Sequence, residues 1–422
     1  MVAYGIGGLN AAGQNPIYLP QVVSTGRTAT PAPTSASGNP APVAPNIDSP
    51  DYIETFDGSP SSPLAWRPGD WDVTVQSRDS AQFAVLDEMH AGHGDDCSPH
   101  PNTHVNSSYE GAVFQCRDHM MTAIRGDDYG AIYLTPDQQV DFSQGEAIVR
   151  FDLSTVRSSD RDWVDIWITP YEDNLQLPLD VGVDLNGEPR RGIHIRMETP
   201  GSGSRKTFWR GAVIRPDFRV EPFQLKTDRP FDDVLTPDAK RRDTYELRIS
   251  RTSVKFGLPA YNLWWIDSTV ADLGWTSGVV QLGHHSYNPL KAGCDSDSCR
   301  ENKPNTWHWD NVLITPAKPF TIIRATNRIY GSNFGGTTAA FPKPAPADAH
   351  LRFSGFGASV DVSFDGGSSW RPAERQRAAL FLRDHYQSYW MPIPAGTQQV
   401  MFRGTNYANH PWNARDVSIF AR

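Results

Sequence analysis

From Tyr52 to about Ile314, apolar residues recur at every second position in short runs, and Gly, Pro, Asn, Asp or Ser closes each run. Successive side chains of a strand point to opposite faces, so this period-two pattern confines the chain to stacked or closed β-sheets. The runs WDVTVQS, GAIYLT, EAIVRFDLS, WVDIWITPY, GIHIRME, TYELRISR, SVKFGL, NLWWIDS, GVVQLGHH and TWHWDNVLI read as strands. About ten strands over roughly 265 residues fit one large two-sheet jelly roll better than two small sandwiches. The 34 Gly and 34 Pro among 422 residues supply the turns. A short helix is expected only in a place such as Thr236–Arg241, so the fold class is all-β.

Composition shifts give the organisation. Residues 1–50 read as a flexible tail and linker, because Val23–Pro50 has no aromatic residue and too little apolar surface to offset the entropy of ordering it. Its alternating Pro, Ala, Ser and Thr favour an extended spacer. Residues 51–317 make the jelly roll, and a Pro-rich break at Thr315–Pro319 leads to a small β-sandwich over 318–422. Inside it, VDVSFDGGSSW resembles an Asp-box hairpin through Ser363, Asp365, Gly367 and Trp370. A single copy marks a tight turn closed by Asp365, and a propeller would need regular repeats of it. Trp370, Tyr386, Tyr389, Trp390 and Trp412 are candidate sugar-stacking residues of this sandwich, at least half of them expected in its core.

Lys and Arg number 39 against 48 Asp and Glu, a net charge of −9 with no long run of either sign. Nucleic acid is therefore not an expected partner, since phosphate binding needs a concentrated basic footprint. No apolar run reaches the roughly 18 residues that a membrane helix needs, so no membrane span is expected. Met1–Leu9 lacks the basic segment and apolar run of a signal peptide, so a leader is expected upstream, or the start is artificial. The four cysteines pair naturally by proximity, Cys97 with Cys116 and Cys294 with Cys299, the alternative being free buried thiols. Two local disulfides suit an extracellular or cell-surface location.

Chemistry-bearing residues concentrate in four places. In DRDWVDIWITP, alternation sends Val164, Ile166 and Ile168 to the core and Trp163, Asp165 and Trp167 to the other face, where two indoles flanking an acid would make a sugar platform. In GIHIRME, Ile193, Ile195 and Met197 point inward and His194, Arg196 and Glu198 share the polar face. Histidines cluster at His90, His93, His100, His104 and His119, and again at His284, His285 and His308. His90, His93 and Asp95 offer ligand types for a transition metal, although an irregular Gly/Pro/Asn-rich loop is poorly suited to hold one. Alternatively the Cys97–Cys116 loop would bring His90, His93 and His119 to His284, His285 and His308 as substrate hydrogen-bonders.

The opening YIETFDGSPSSPLAW and the closing SGVVQLGHHSYNP and NTWHWDNVLI resemble the first and last strands of concanavalin A-like lectin/glucanase domains, over Asp51 to about Pro316. The resemblance implies a curved jelly roll whose concave face binds or cleaves glycans, with Asp310 helping to hold a structural Ca²⁺. The E-x-D-x-E string of laminarinase-type hydrolases is absent. Two chemistries remain for an enzyme: Asp165 with Glu198 as a hydrolytic carboxylate pair, or His194 as base and Arg196 as carboxylate neutraliser in a lyase. The expected function is thus a secreted or cell-surface protein that binds or processes a polysaccharide, with binding slightly favoured. A structural or adhesive protein without catalysis, and a metal-dependent enzyme on the histidine loop, are the alternatives.

Overall fold

The computed structural model describes residues 45–57, 71–77, 83–85, 111–116, 118–155, 162–171, 191–198, 208–217, 219–230, 233–235, 238–286, 305–325, 329–330, 337–373, 387–406 and 411–422, except 125–129. The strands of the first part are β1 (Tyr52–Glu54), β2 (Asp72–Ser77), β3 (Phe83–Val85), β4 (Gly111–Cys116), β5 (His119–Ile124), β6 (Gly130–Thr135), β7 (Gln138–Asp141), β8 (Ala147–Thr155) and β9 (Asp162–Pro170). They continue with β10 (Gly192–Glu198), β11 (Phe208–Ile214), β12 (Val220–Pro222), β13 (Asp238–Ser250), β14 (Ser253–Leu258), β15 (Leu263–Thr269), β16 (Ser277–Ser286), β17 (Asn305–Thr315) and β18 (Ala317–Pro319). The second part holds β19 (Thr321–Arg324), β20 (Ile329–Tyr330), β21 (Thr337–Ala340), β22 (His350–Phe356), β23 (Ser359–Ser363), β24 (Arg371–Pro372), β25 (Gln387–Pro392), β26 (Gln399–Thr405) and β27 (Asn413–Ala421).

Two 9-stranded sheets face each other over the first core. One runs β15-β14-β13-β8-β17-β5-β4-β3 with β1 beside β17; the other runs β12-β11-β10-β9-β16-β6-β2, with β7 on β16 and β18 on β7. Val149, Phe151, Leu247 and Trp309 of the first sheet meet Ile166, Ile195, Leu282 and Leu134 of the second in one apolar cluster. A 5-stranded sheet (β19-β27-β22-β25 with β20) and a 4-stranded sheet (β21-β26-β23-β24) enclose a second cluster around Leu351, Phe353, Phe402 and Trp412. The chain is all-β, as the alternation predicts.

Local differences have physical causes. The short helix around Thr236–Arg241 is not formed: β13 already begins at Asp238, and its register against β8 shifts between Asp238 and Arg242, while Thr236 and Pro237 lie outside the described residues. The Pro-rich break is not slack chain, because Ala317–Pro319 pairs with β7. In β17, Trp307 and Trp309 face the core, and so do Val312 and Ile314. The change of phase comes from an irregularity between Asp310 and Leu313, where Asn311 adopts a left-handed φ of 46°. The Asp-box turn forms as expected: Ser369 N–H donates to Asp365 Oδ1 (2.8 Å) and Gly367 N–H to Ser363 Oγ (2.8 Å). Hydrogen bonds from the Ser369 hydroxyl and amide, with one from Ser363, hold Asp365 at about 2.

Candidate functional site

The sheet containing β9 turns one face to the first core and bears the site on the other. Core-facing Val164, Ile166 and Ile168 leave Trp163, Asp165 and Trp167 opposite, and core-facing Ile193, Ile195 and Met197 leave His194 and Arg196 opposite, as alternation predicts. Registers set the neighbours. Arg196, Asp165, Gly283, Tyr133 and Thr74 form one row across β10, β9, β16, β6 and β2, continued on β11 by Arg210. Ala212, His194, Trp167 and Gln281 form the next, and Gln281 donates to Thr135 Oγ1 (3.4 Å), which is paired with Asp72.

Asp165 is the centre. Its Oδ2 lies 3.0 Å from His194 Nε2, 3.0 Å from His285 Nε2 and 3.1 Å from the Trp167 indole nitrogen, whose N–H donates to it. His285 Nε2 also meets the Tyr133 hydroxyl at 2.9 Å. Each imidazole lies on an indole: His194 on Trp167 (centroids 4.0 Å apart, 13° between planes) and His285 on Trp163 (5.0 Å, 7°). Burial by itself would raise the Asp165 carboxyl, but the charge of His285 and the hydrogen bonds from both imidazoles outweigh it and hold the group far below the ordinary carboxylate range. Asp165 is thus a buried, ionised group that orients two histidines. Its Oδ1 has no hydrogen-bond partner, and a Cβ at position 283 would run into that oxygen and lie 2.8 Å from Tyr133 Cε1. Only glycine leaves room there for the carboxylate.

Asp165 and Trp167 are almost fully buried, whereas Trp163, His194 and Arg196 are partly exposed and Arg210 is exposed. Of the two indoles expected to flank the acid as a platform, Trp167 is buried under His194, whereas Trp163 stays partly exposed with His285 on one face. His285, Tyr133 and Gly283 complete the site. For Tyr133 and Gly283 the one sequence signal was a glycine inside a strand, which marks close approach.

The other predicted residues are dispersed. His284 points the opposite way from His285, into the interior, where its Nδ1 meets Thr122 Oγ1 at 3.0 Å. His119 and His308 lie on the outer face of the other sheet: Asp118 Oδ1 is 2.9 Å from His119 Nδ1, and His119 Nε2 is 2.8 Å from His308 Nδ1. A single surface of His119, His284, His285 and His308 does not exist, because consecutive strand residues face opposite ways and the two pairs belong to different sheets. Asp310 is beside this outer pair, with its Oδ2 3.3 Å from Arg242 Nε and its Oδ1 accepting from the Asn311 amide (2.8 Å). Burial pushes Asp310 up to about 7, against Arg242 and the Asn311 amide and with help from Asp152 and Asp118. Since the guanidinium already takes the position of a counter-cation, this donor set does not fit a hard Ca²⁺ ion.

Among the described residues no group of three or more His, Cys, Asp or Glu could hold a metal. His90, His93, Asp95, Cys97, Cys294 and Cys299 lie outside the described residues, as does the side chain of Cys116 at the end of β4. Glu198 ends β10 on the same face parity as Arg196, its side chain also outside the description. In the second sandwich Tyr389 and Trp412 are core, Trp390 stacks on His350 (4.5 Å, 3°), and Trp370 lies under Arg403 (4.4 Å); Tyr386 is outside the described residues. Among the described residues no helix is long and apolar enough to cross a membrane.

No protein-family model matches the chain, and no curated protein matches it. Solved structures do. LamAcat from Zobellia galactanivorans is 10% identical at a TM-score of 0.38, over 64% of this chain and 98% of that one. The β-glucanase of Bacillus licheniformis is 12% identical at 0.32, over 63% and 97%. The exoplasmic/lumenal domain of VIP36 in its Ca2+/Man3GlcNAc-bound form is 12% identical at 0.28, over 50% and 83%. The likeness to glucanases and lectins is one of fold. At these scores it says nothing of substrate or site residues.

Proposed function

We propose that the protein binds an acidic polysaccharide across the face centred on Asp165 and cleaves it by β-elimination. The observation that supports this reading is the buried Asp165 carboxyl group within 3.0 Å of two imidazoles, each backed by an indole, beside Arg196 and Arg210. A glycosidase needs a carboxylic acid that keeps its proton near neutrality. Asp165 suits only the ionised partner of such a pair, and its burial, with Oδ2 taken by His194, His285 and Trp167, sets it poorly for contact with a sugar, so the Asp165–Glu198 hydrolytic pair is the weaker assignment.

An elimination needs a base and a cation. If His194 donates its Nε2 proton to Asp165, its basic lone pair is at Nδ1, and the carboxylate stabilises the imidazolium formed on proton uptake. His194 takes the proton from C5 of a uronate unit, the electron pair forms the C4=C5 double bond, and the C4–O bond breaks. The departing oxygen is protonated by water. Arg196 faces the uronate carboxylate and stabilises the charge that develops on it. An extracytoplasmic location, with the two proximity disulfides, belongs to the same proposal.

The test is incubation of the purified protein with neutral and uronic-acid polysaccharides, with products identified by mass spectrometry. Unsaturated oligosaccharides lost in His194→Ala support the reading. Saturated reducing ends would replace it with hydrolysis, binding without products would reduce it to recognition, and no binding to any glycan would favour an adhesive protein.

A further inference from the structure

The second sandwich does not hang beside the first; it packs on the site-bearing face itself. Val279 of β16 has the face parity of Gly283 and His285, and Tyr171, just past β9, has that of Asp165 and Trp167. Both are buried against Phe320 and Phe420, with Ile322 and Trp390 alongside. Arg422 lies over the Tyr171 ring at 4.4 Å. On β2, Asp72 faces the same way and is fully buried in an ion pair with Arg352 of β22, itself fully buried. Ser418 Oγ donates to Asp72 Oδ1 (2.6 Å), and Arg324 donates to the Val73 carbonyl (3.3 Å). A buried ion pair of this kind fixes a relative position more than it adds stability, because each charge needs its partner in place.

We infer that the second sandwich is one wall of the polysaccharide groove and selects unbranched chains, with Asp72 and Arg352 as the positioning pair; this rests on the glycan reading of the Asp165 face. Residues two apart along a strand are separated by roughly 6.8 Å, so on β9 and β16 the covered row of Thr169 and Val279 lies about 14 Å from the row of Asp165, while on β2 the cover reaches Asp72, in the row of His194 and only one step from that of Asp165. Trp167 and Gln281 between these rows are buried, so the face stays open over His194, Arg196 and Arg210, and a bound chain is confined to that strip of β10 and β11 with the covered rows on one side. A branch directed toward β18 would meet Phe320. The aromatic residues of the second sandwich agree with this role, since Tyr389 and Trp412 are in its core and Trp390 is at the seam.

The experiment compares the full chain with Arg352→Met, Arg352→Lys and the milder Ser418→Ala, by calorimetry and by binding to a linear acidic polysaccharide and its branched counterpart. The wild type should unfold in one transition and bind the linear polymer at least tenfold more tightly. Arg352→Met should split or broaden the transition and reduce the preference to about twofold, with Arg352→Lys recovering part of both and Ser418→Ala lying between. A preference unchanged in a variant whose transition has split overturns the wall, as does a wild type without preference. If no polysaccharide binds, the glycan reading has failed; the calorimetry then stands alone, and two independent transitions in the wild type would overturn the docking as well.

Discussion

Gly283→Ala tests the geometry of the site with the smallest change available. Gly283 does not have a positive φ, so alanine brings no backbone penalty there, and the whole effect comes from one methyl group meeting Asp165 Oδ1 and Tyr133 Cε1. Overpacking of this kind costs about 1–3 kcal/mol. If the carboxylate swings away to relieve it, at least one of its three charged hydrogen bonds is lost, at about 1.5–3 kcal/mol. The expected penalty is about 3–5 kcal/mol, or a fall of roughly 6–10 °C in Tm at about 2 °C per kcal/mol for a cooperative unit of this size. Thermal and urea unfolding followed by tryptophan fluorescence would measure it. The decisive arm is the double-mutant cycle: in an Asp165→Ala background only the 2.8 Å contact with Tyr133 Cε1 remains, and Gly283→Ala should cost at least about 1.5 kcal/mol less than in the wild type, because no carboxylate hydrogen bond is then at stake. Additive penalties would refute the claim that position 283 is glycine because the carboxylate lies over it.

Other predictions follow from the same contacts. Asp165 has its carboxyl depressed in the folded chain, so its contribution to stability is present above the unfolded value of 3.8 and is lost as pH falls below it; Asp165→Asn should flatten that acid limb in pH-dependent unfolding. Asp310 is the opposite case, raised to about 7 among Arg242, Asp152, Asp118, His119 and His308, so stability should decline as pH rises from about 4 to 7, and Asp310→Asn should remove the decline. Arg196→Lys should weaken binding of a uronate polymer about tenfold with little change in Tm, since a flexible ammonium replaces a planar fork. His119→Gln should leave glycan binding unchanged, because His119 is on the outer face of the opposite sheet; a large loss in titration calorimetry would contradict that placement.

Alternation made the strands legible, and with them the sharing of one face by Trp163, Asp165 and Trp167 and of another by His194 and Arg196. It also contained a warning about His284 and His285: adjacent residues of one strand cannot both face a ligand. What it could not give was the pairing of β9 with β16, strands more than a hundred residues apart whose union brings His285 and Gly283 to Asp165. Register between distant strands is decided by the packing of both faces, which local pattern does not contain. The tryptophans of the second sandwich were ambiguous for a related reason. A small domain needs large side chains to fill its interior, and aromatic content alone does not separate core from platform.

The seam at Asp72 also bears on how fragments of this chain would behave. A protein ended at Pro319 keeps all the strands of the site sheet yet loses Arg352 and Ser418, two partners of the Asp72 carboxylate on β2, and it uncovers Val279 and Tyr171 on the face where a ligand would bind. Among the described residues β2 pairs with β6 alone and ends its sheet, and such an edge, once its cover is removed, is a template for strand addition by another copy. Inactivity or precipitation of that fragment would report the chemistry of an exposed border and not that of the Asp165 face, and dissection by truncation would misassign the function to the quarter of the chain that was removed.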